Sequence, residues 1–247
     1  MDLLSTGMAA GLGAAAGIGL VAGGCAYAAL WPGSRIFGDA LIAPRTPGEL
    51  ALTFDDGPNP AYTPRLLDIL AVHDVRATFF LLGNHAQSEP GLVKRIAAAG
   101  HLIGNHSWRH LNLALTRADR IGEELATTSD ALEQIAGVPV KFFRPPFGSR
   151  RPAVLRIARE LGMVPVLWNA MTSDWSEVSA DRIAYRLREK IDRLAERGCA
   201  ANIVLHDGGH QDSGAFREPS ITAAGMLAAR YKATHRFVTL DACGQAA

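Results

Sequence analysis

The feature that most constrains the fold is a pair of adjacent aspartates, Asp55 and Asp56, placed between an apolar run and the dipeptide Gly57-Pro58. Residues 49–54 alternate and are rich in β-formers, which predicts a strand that the Gly-Pro ends. Because neighbouring strand residues face opposite sides, one Asp could bind a metal while the other reaches over an open coordination position. By itself, the segment 53–58 is equally compatible with an ordinary Asp-Gly turn.

A second group of possible ligands follows about fifty residues later, where His106 and His110 come after a short apolar run at 100–104. Their spacing predicts that both imidazoles lie on one side of a helical turn, where they can share a metal. An isolated pair with this spacing is more often part of a surface helix. Combined with a strand-end carboxylate, it supplies two nitrogens and one oxygen and leaves positions open, which is typical of a catalytic metal site.

Four short motifs, in this order along the chain, resemble those of the polysaccharide deacetylase family, the NodB-like carbohydrate esterases of family 4. They are TFDDGP at 53–58, HSWRH at 106–110, RPPFG at 144–148 and IVLHD at 203–207. The resemblance spans roughly residues 47–241. It implies an α/β fold, a distorted (β/α) barrel of about seven parallel strands. It also implies an enzyme that hydrolyses the acetamide of N-acetylhexosamine units in an envelope polysaccharide or a related oligosaccharide.

The same resemblance implies a metal-dependent mechanism. Asp56, His106 and His110 would bind a divalent metal, with Zn²⁺ expected ahead of Co²⁺ or Ni²⁺. Asp55 would be the general base that takes a proton from the attacking water. His206 would be the general acid, because an amide nitrogen must gain a proton before it can leave.

Other residues of the motifs are expected to support the reaction. Arg144 would hold Asp55 in place with its planar set of donors, and the Phe147 N–H would help to bind the oxyanion. Family members often have Tyr where this chain has Phe147, so one side-chain contact to the substrate is in question. The residues expected to contact the substrate are Pro146, Phe147 and Trp175.

One position departs from the family pattern. Met171 stands where the first aspartate of the family's fourth motif belongs, although Asp174 and Trp175 remain. That aspartate is expected behind the general acid, so its loss predicts that His206 holds its proton less strongly than in relatives. The exception would be a chain in which Asp174 or a backbone carbonyl takes the same place.

The N-terminal segment predicts a membrane anchor. Residues 7–30 carry no charge, and they are long enough to cross a bilayer as a helix of about 20 residues or more. The catalytic domain is expected outside the cytoplasm, because polymeric envelope glycans are found there. We expect 1–32 to be an anchor or uncleaved signal, 33–46 a linker, 47–241 the catalytic domain and 242–247 a tail.

Downstream of residue 50, short apolar runs alternate with amphipathic stretches, which predicts repeated βα units and a parallel sheet. This pattern alone does not distinguish a barrel from an open doubly wound sheet. Strands are expected at 49–54, 77–82, 101–104, 142–143, 163–168, 201–205 and 236–240. Helices are expected to begin near 63 and 90 and to span 116–136, with a partial capping box, and 179–198.

Charge and chemistry narrow the alternatives. A net charge of +1 offers no field for nucleic acid, and the sequence does not indicate an oligomeric state. A non-haem Fe(II) oxygenase is one alternative, since two His and a carboxylate also suit iron, but it does not explain Asp55, Arg144 or His206. A catalytically idle glycan-binding membrane protein is another, which Met171 favours. Oxygen-dependent turnover would identify the first alternative, and a lack of metal-dependent acetate release the second.

Overall fold

The computed structural model describes residues 23–244, which form a parallel sheet covered by helices. The strands of this part of the chain are β1 (Glu49–Gly57), β2 (Thr78–Leu81), β3 (Leu102–Asn105), β4 (Phe142–Phe143), β5 (Val164–Pro165), β6 (Ala170–Met171), β7 (Ala201–His206) and β8 (Arg236–Val238). Downstream of β1, the α-helices are α1 (Thr63–Val72), α2 (Gly83–Ser88), α3 (Pro90–Ala98), α4 (Ala118–Ala136), α5 (Pro152–Glu160), α6 (Ala180–Glu196) and α7 (Glu218–Tyr231).

Seven strands form one path in the order β5-β4-β3-β2-β1-β7-β6, and every pair in it is parallel. The eighth strand, β8, pairs with the first residues of β1. The predicted α/β class and parallel sheet are confirmed, and the sheet is a half-barrel. Strand β1, which pairs with β2, β7 and β8, is buried along its whole length, as expected for a parallel strand covered on both faces.

Two local predictions are wrong. The expected strand at 163–168 is shorter: it spans Val164–Pro165, and Val166 continues it only as an isolated bridge because its next partner, Leu41, is a single residue of the segment before β1. The chain returns to the sheet as β6, which was not predicted. The capping box expected around Thr116 is also absent, since the Thr116 hydroxyl donates to the carbonyl of Asn112 at 2.9 Å and α4 begins without a side-chain cap.

The chain before β1 packs against the domain that contains the sheet. Arg150 is fully buried, and its Nη2 donates to the carbonyls of Trp31 at 2.7 Å and Ser34 at 3.0 Å. Further along, Leu41 forms an isolated parallel bridge with Val166, beside β5. The segment predicted as a linker therefore packs against the sheet and the loop that follows β4.

The predicted membrane span at 7–30 lies mostly outside the described residues. Of that span, residues 23–30 are described, and they are helical. No helix within 23–244 combines the length and the apolar character needed to cross a membrane. The predicted tail at 242–247 also lies partly outside the described residues.

The topology brings the predicted site residues to one edge of the sheet. Asp55 and Asp56 are at the carboxyl end of β1, and His206 ends β7. His106 directly follows β3, and Arg144 directly follows β4. Ligands of parallel α/β sheets bind at this edge, so residues up to 151 positions apart in the sequence are placed around one cleft.

Candidate metal centre and active site

Three ligand-type side chains meet at the carboxyl ends of β1 and β3. Ligand atoms of Asp56, His106 and His110 all lie within 4.8 Å of one another, and all three residues are buried. The Oδ1 atom of Asp56 is 3.4 Å from Nε2 of His106 and 3.3 Å from Nε2 of His110. This oxygen has no hydrogen-bond partner among the described residues. A buried, unpartnered carboxylate oxygen between two imidazole nitrogens fits a metal cation.

The protonation states of these side chains also fit a metal. Nδ1 of His106 donates to the carbonyl of Arg144 at 2.8 Å, which leaves Nε2 free to bind. Burial, together with the neighbouring imidazoles, lowers the pKa of His110 to about 3 in spite of Asp56, so this ring is neutral. Burial would raise the pKa of Asp56, but the adjacent imidazole of His106 and the electrostatic effects of His206 and His110 outweigh it and lower this pKa. Two imidazole nitrogens and a carboxylate oxygen suit Zn²⁺ or a similar divalent ion.

The turn between the two histidines is not helical, which corrects the prediction. Ser107 and His110 have φ values of 68° and 57°, a left-handed conformation that is costly for residues other than glycine. Side chains supply the bonds that a helix would have made. Oδ1 of Asn105 accepts the N–H of Ser107 at 2.8 Å, and Oγ of Ser107 accepts the N–H of His110 at 3.1 Å. The imidazoles still converge, with ring centroids 5.0 Å apart.

Glu124 of α4 holds the middle of this turn. Its Oε2 accepts the backbone N–H groups of Trp108 at 3.0 Å and Arg109 at 2.9 Å. We expect Glu124→Gln to weaken metal binding by about tenfold or more, because partners behind the ligands orient them and their loss typically costs this much. Titration calorimetry with Zn²⁺ measures the effect.

A matched control exists on the same helix. Oε1 of Glu133 accepts the N–H of Val140 at 2.8 Å, a bond of the same kind that does not involve the turn between the histidines. Glu133→Gln should leave the metal Kd unchanged. An equal loss of affinity in both variants would mean that Glu124 acts only through the stability of α4.

Both aspartates face the cleft because the end of β1 is irregular. The register of β1 against β2 shifts between Asp55 and Gly57, and Asp56 has a φ of 68°. Nδ1 of His85 lies 3.1 Å from the Asp56 carbonyl oxygen. A Cβ at Gly208 would be 2.1 Å from the same oxygen, so the close approach requires glycine. The predicted division of roles does not depend on strand alternation, because both carboxylates line one cavity.

Arg144 contacts Asp55, as predicted from the resemblance. Its Nη1 donates to Oδ1 of Asp55 at 2.7 Å and to Oγ1 of Thr53 at 2.8 Å. The guanidinium is fully buried and lies 4.1 Å from the ring centroid of Phe80. The other oxygen of Asp55, Oδ2, lies 4.0 Å from Nε2 of His106. Arg144 therefore occupies one oxygen of Asp55 and leaves the other on the side of the metal ligands.

The expectation that His206 lacks a carboxylate partner is wrong. Oδ1 of Asp174 lies 2.9 Å from Nδ1 of His206, and Oδ2 accepts the His206 backbone N–H at 2.8 Å. The hydroxyl of Ser220 donates to the same Oδ2 at 2.5 Å. Asp174 thus lies behind the imidazole, while Met171 lines the cavity. The substitution at Met171 leaves the acid's partner in place.

This contact changes the acidity of His206. Burial alone would lower its pKa, but the charge and hydrogen bond of Asp174, with the charges of Asp56 and Asp55, raise the pKa to about 9. A divalent cation at Asp56 would offset the two active-site aspartates. Asp174 would then be the main cause of the upward shift.

The ligands and His206 line a cavity of about 310 Å³. Phe147 and Trp175, both predicted to contact substrate, are on its wall and are 54 % and 47 % exposed. Phe147 has a φ of 59°, the fourth left-handed residue of the site. Pro146, predicted with them, is buried, and its neighbour Pro145 lines the cavity in its place.

Two further residues of the wall were not predicted as site residues. The His210 ring stacks on that of His110 with centroids 4.5 Å apart, and its Nδ1 is 3.9 Å from Oδ2 of Asp56. Arg217 reaches the cavity from the N-terminal end of α7. The His-Asp-Gly-Gly-His spacing at 206–210 could have indicated His210, since two glycines permit the chain to fold back over the site.

Comparison with known proteins gives concordant matches. The sequence profile of the polysaccharide deacetylase family matches residues 43–166. A peptidoglycan-N-acetylglucosamine deacetylase of Bacillus cereus is 38 % identical over 207 residues, which cover 83 % of this chain and 72 % of that protein. A chitooligosaccharide deacetylase of Rhizobium leguminosarum biovar trifolii is 39 % identical over 158 residues, which cover 64 % of this chain and 70 % of that protein.

A solved structure extends the likeness to three dimensions. The peptidoglycan N-acetylglucosamine deacetylase Bc1960 aligns with a TM-score of 0.74 at 37 % identity. The alignment covers 84 % of this chain and 93 % of that one. The similarity therefore extends well beyond the short motifs, over most of the described sheet.

Proposed function

The chain belongs to the polysaccharide deacetylase family, and from this premise we propose that it hydrolyses the acetamide of N-acetylhexosamine units in an envelope glycan. One observation carries the proposal. A single cavity holds the Asp-His-His ligand set, a carboxylate bound by a buried arginine, and a histidine bound by a buried aspartate. The names of the chain's relatives support peptidoglycan or chitooligosaccharides as substrates.

The metal contributes electrophilic chemistry. When bound by Asp56, His106 and His110, a divalent cation supplies Lewis acidity, which polarises a carbonyl and makes water more acidic. Zn²⁺ is the first candidate, and Co²⁺ or Ni²⁺ would suit the same donors.

Asp55 acts as the general base. Arg144 occupies Oδ1, so Oδ2 is the oxygen available to accept a proton from water as the water oxygen adds to the acetamide carbon. The fixed position of this carboxylate lowers the entropy cost of the step. Phe147, beside the cavity, offers its backbone N–H to the oxyanion that forms.

His206 acts as the general acid. Its Nδ1 faces Asp174, so the other ring nitrogen, Nε2, carries the proton that passes to the departing amine. As that proton transfers, the C–N bond breaks and leaves acetate and a free amine. Asp174 keeps the imidazole oriented and favours its protonated form.

Neither alternative function has support of this kind. A non-haem iron oxygenase would not need the Asp55–Arg144 or His206–Asp174 pairs. An idle binding protein was favoured by Met171, but Asp174 supplies the acid with a partner.

Acetate release tests the proposal. The full chain, stripped with a chelator and reloaded with Zn²⁺, Co²⁺ or Ni²⁺, is offered peptidoglycan, N-acetylglucosamine oligomers and poly-N-acetylglucosamine. We expect acetate from at least one glycan only after metal is restored. No acetate from any glycan with any of the metals would reject the deacetylase function.

We also propose that residues 1–32 anchor the chain in a membrane, with the catalytic domain outside the cytoplasm. Tyr27 and Trp31 stack on each other with centroids 6.1 Å apart and are about half exposed, which suits residues at a membrane interface. Protease added to spheroplasts should digest the catalytic domain. Protection of the domain while the membrane stays intact would place it in the cytoplasm.

A further inference from the structure

Arg217 has a fixed position in the wall of the cavity but no acidic partner among the described residues. Its Nε donates to the carbonyl of Gly208 at 2.7 Å, and Nη1 donates to that of Phe216 at 2.9 Å. A longer bond of 3.5 Å joins Nη1 to the carbonyl of Trp175. Carbonyl oxygens orient a guanidinium without cancelling its charge. In the described part of the chain, Nη2 makes no hydrogen bond, so its two N–H groups are available to a ligand.

The other charged groups around the cavity have partners. A divalent cation would more than offset the charge of the Asp56 carboxylate. The positive charge of Arg217 then has no negative partner. A cleft whose lining carries charge of one sign concentrates ligands of the opposite charge, more so when its walls have a low dielectric constant. The matched pairs are Arg144 with Asp55, at 2.7 Å, and His206 with Asp174, at 2.9 Å.

We propose that Arg217 binds a carboxylate carried by the glycan, next to the sugar whose acetamide is hydrolysed. The inference rests on the proposed function and narrows its substrate to an acidic glycan. The free N–H groups of Nη2 can donate charge-assisted hydrogen bonds to a carboxylate, whose charge is opposite to that of the guanidinium. Trp175 adjoins it with a half-exposed indole, which suits packing against an apolar sugar face. A sugar on Trp175 would thus place its acidic substituent at Arg217.

Two kinds of glycan carry such a group. Muramic acid units whose lactyl group carries no stem peptide bear a free carboxylate, and uronic acid units bear a carboxylate on the ring, whereas N-acetylglucosamine oligomers are neutral. The test uses four soluble tetrasaccharides with the metal-loaded full chain. They are an N-acetylglucosamine–N-acetylmuramic acid repeat, the same repeat with its carboxyls converted to N-methylamides, an N-acetylglucosamine–glucuronic acid repeat, and the neutral N-acetylglucosamine tetramer.

Arg217→Gln should lower kcat/KM on at least one carboxylate substrate by about tenfold or more, as expected for loss of a charge-assisted hydrogen bond. The cost on the amidated repeat and on the neutral tetramer should be much smaller. Added salt should reduce the wild-type preference for the acid over its amide and should not affect the variant. The acidic repeat that shows the selective loss identifies the source of the carboxylate.

Arg151→Gln is the matched control. Arg151 also donates to a backbone carbonyl, that of Thr116 at 2.7 Å, but it is not on the cavity wall. It should show no selectivity between the acid and its amide. An equal loss by Arg217→Gln on all four substrates would mean that Arg217 only supports the loop at Gly208, and no loss on any of them would equally overturn the inference. Wild-type chain that released acetate from none of the substrates would refute the proposed function, and this inference with it.

Discussion

Asp55→Asn is expected to lower kcat by about 10²–10⁴-fold while metal stays bound. General-base catalysis contributes this much, and an amide cannot accept the proton. In the wild-type chain, Nη1 of Arg144 donates to Oδ1 of Asp55 at 2.7 Å. The amide oxygen of the variant can still accept this hydrogen bond, so the local geometry should persist. Acetate release and the metal content of the purified variant are measured together.

The contrast with the ligands makes this a test of roles. Asp56→Ala, His106→Ala and His110→Ala should each lower metal occupancy, because each removes an atom of the three-ligand cluster. Thermal unfolding of every variant, with and without Zn²⁺, separates lost binding from lost folding. Equal metal loss in Asp55→Asn and the three ligand variants would refute the distinction between base and ligand.

Asp174→Asn should shift the pH dependence of the reaction. His206 must be protonated to donate, so activity falls as pH rises through its pKa, and the alkaline limb of the kcat profile reports this group. Asp174 favours the protonated ring, which has its pKa raised to about 9. Removing the charge should move the alkaline limb to lower pH by about one to three units. The acidic limb, which reports the base, should move much less.

A second variant tests whether the carboxylate of Asp174 or an aspartate at position 171 sets the pKa of His206. Met171→Asp should leave the alkaline limb close to its wild-type value, because Asp174 already occupies the place behind the ring at 2.9 Å. An alkaline limb that is unmoved by Asp174→Asn but raised by Met171→Asp would reverse our assignment of the partner.

The ligands were predictable because their chemistry is tied to short spacings. Asp56 comes shortly after the segment 49–54, whose residues predict a strand, and His106 and His110 are four positions apart. The helical turn expected between the histidines was wrong because tertiary contacts override local preference there. Glu124 and Asn105 take backbone N–H groups that a helix would have used.

The partner of His206 was harder to predict from the sequence than the metal ligands were. Asp174 is 32 residues away, and the pair forms only because the chain pairs β6 with β7 before reaching Asp174. β6 is two residues long, too short to give a periodic pattern. The resemblance drew attention to Met171 instead, which is the last residue of β6 and lines the cavity. Arg217 was missed for a related reason, since a single arginine in a loop has no spacing to interpret.

The contacts of Arg150 with Trp31 and Ser34 would limit how far the domain could move from the proposed anchor. A catalytic domain on a loose tether could sample glycan through a thick layer of the envelope. Here the chain that leaves the proposed anchor is held at once by a buried guanidinium and then bridged to the sheet at Leu41. With the proposed anchor in a membrane, the cleft would therefore be held at a nearly fixed height above the bilayer surface.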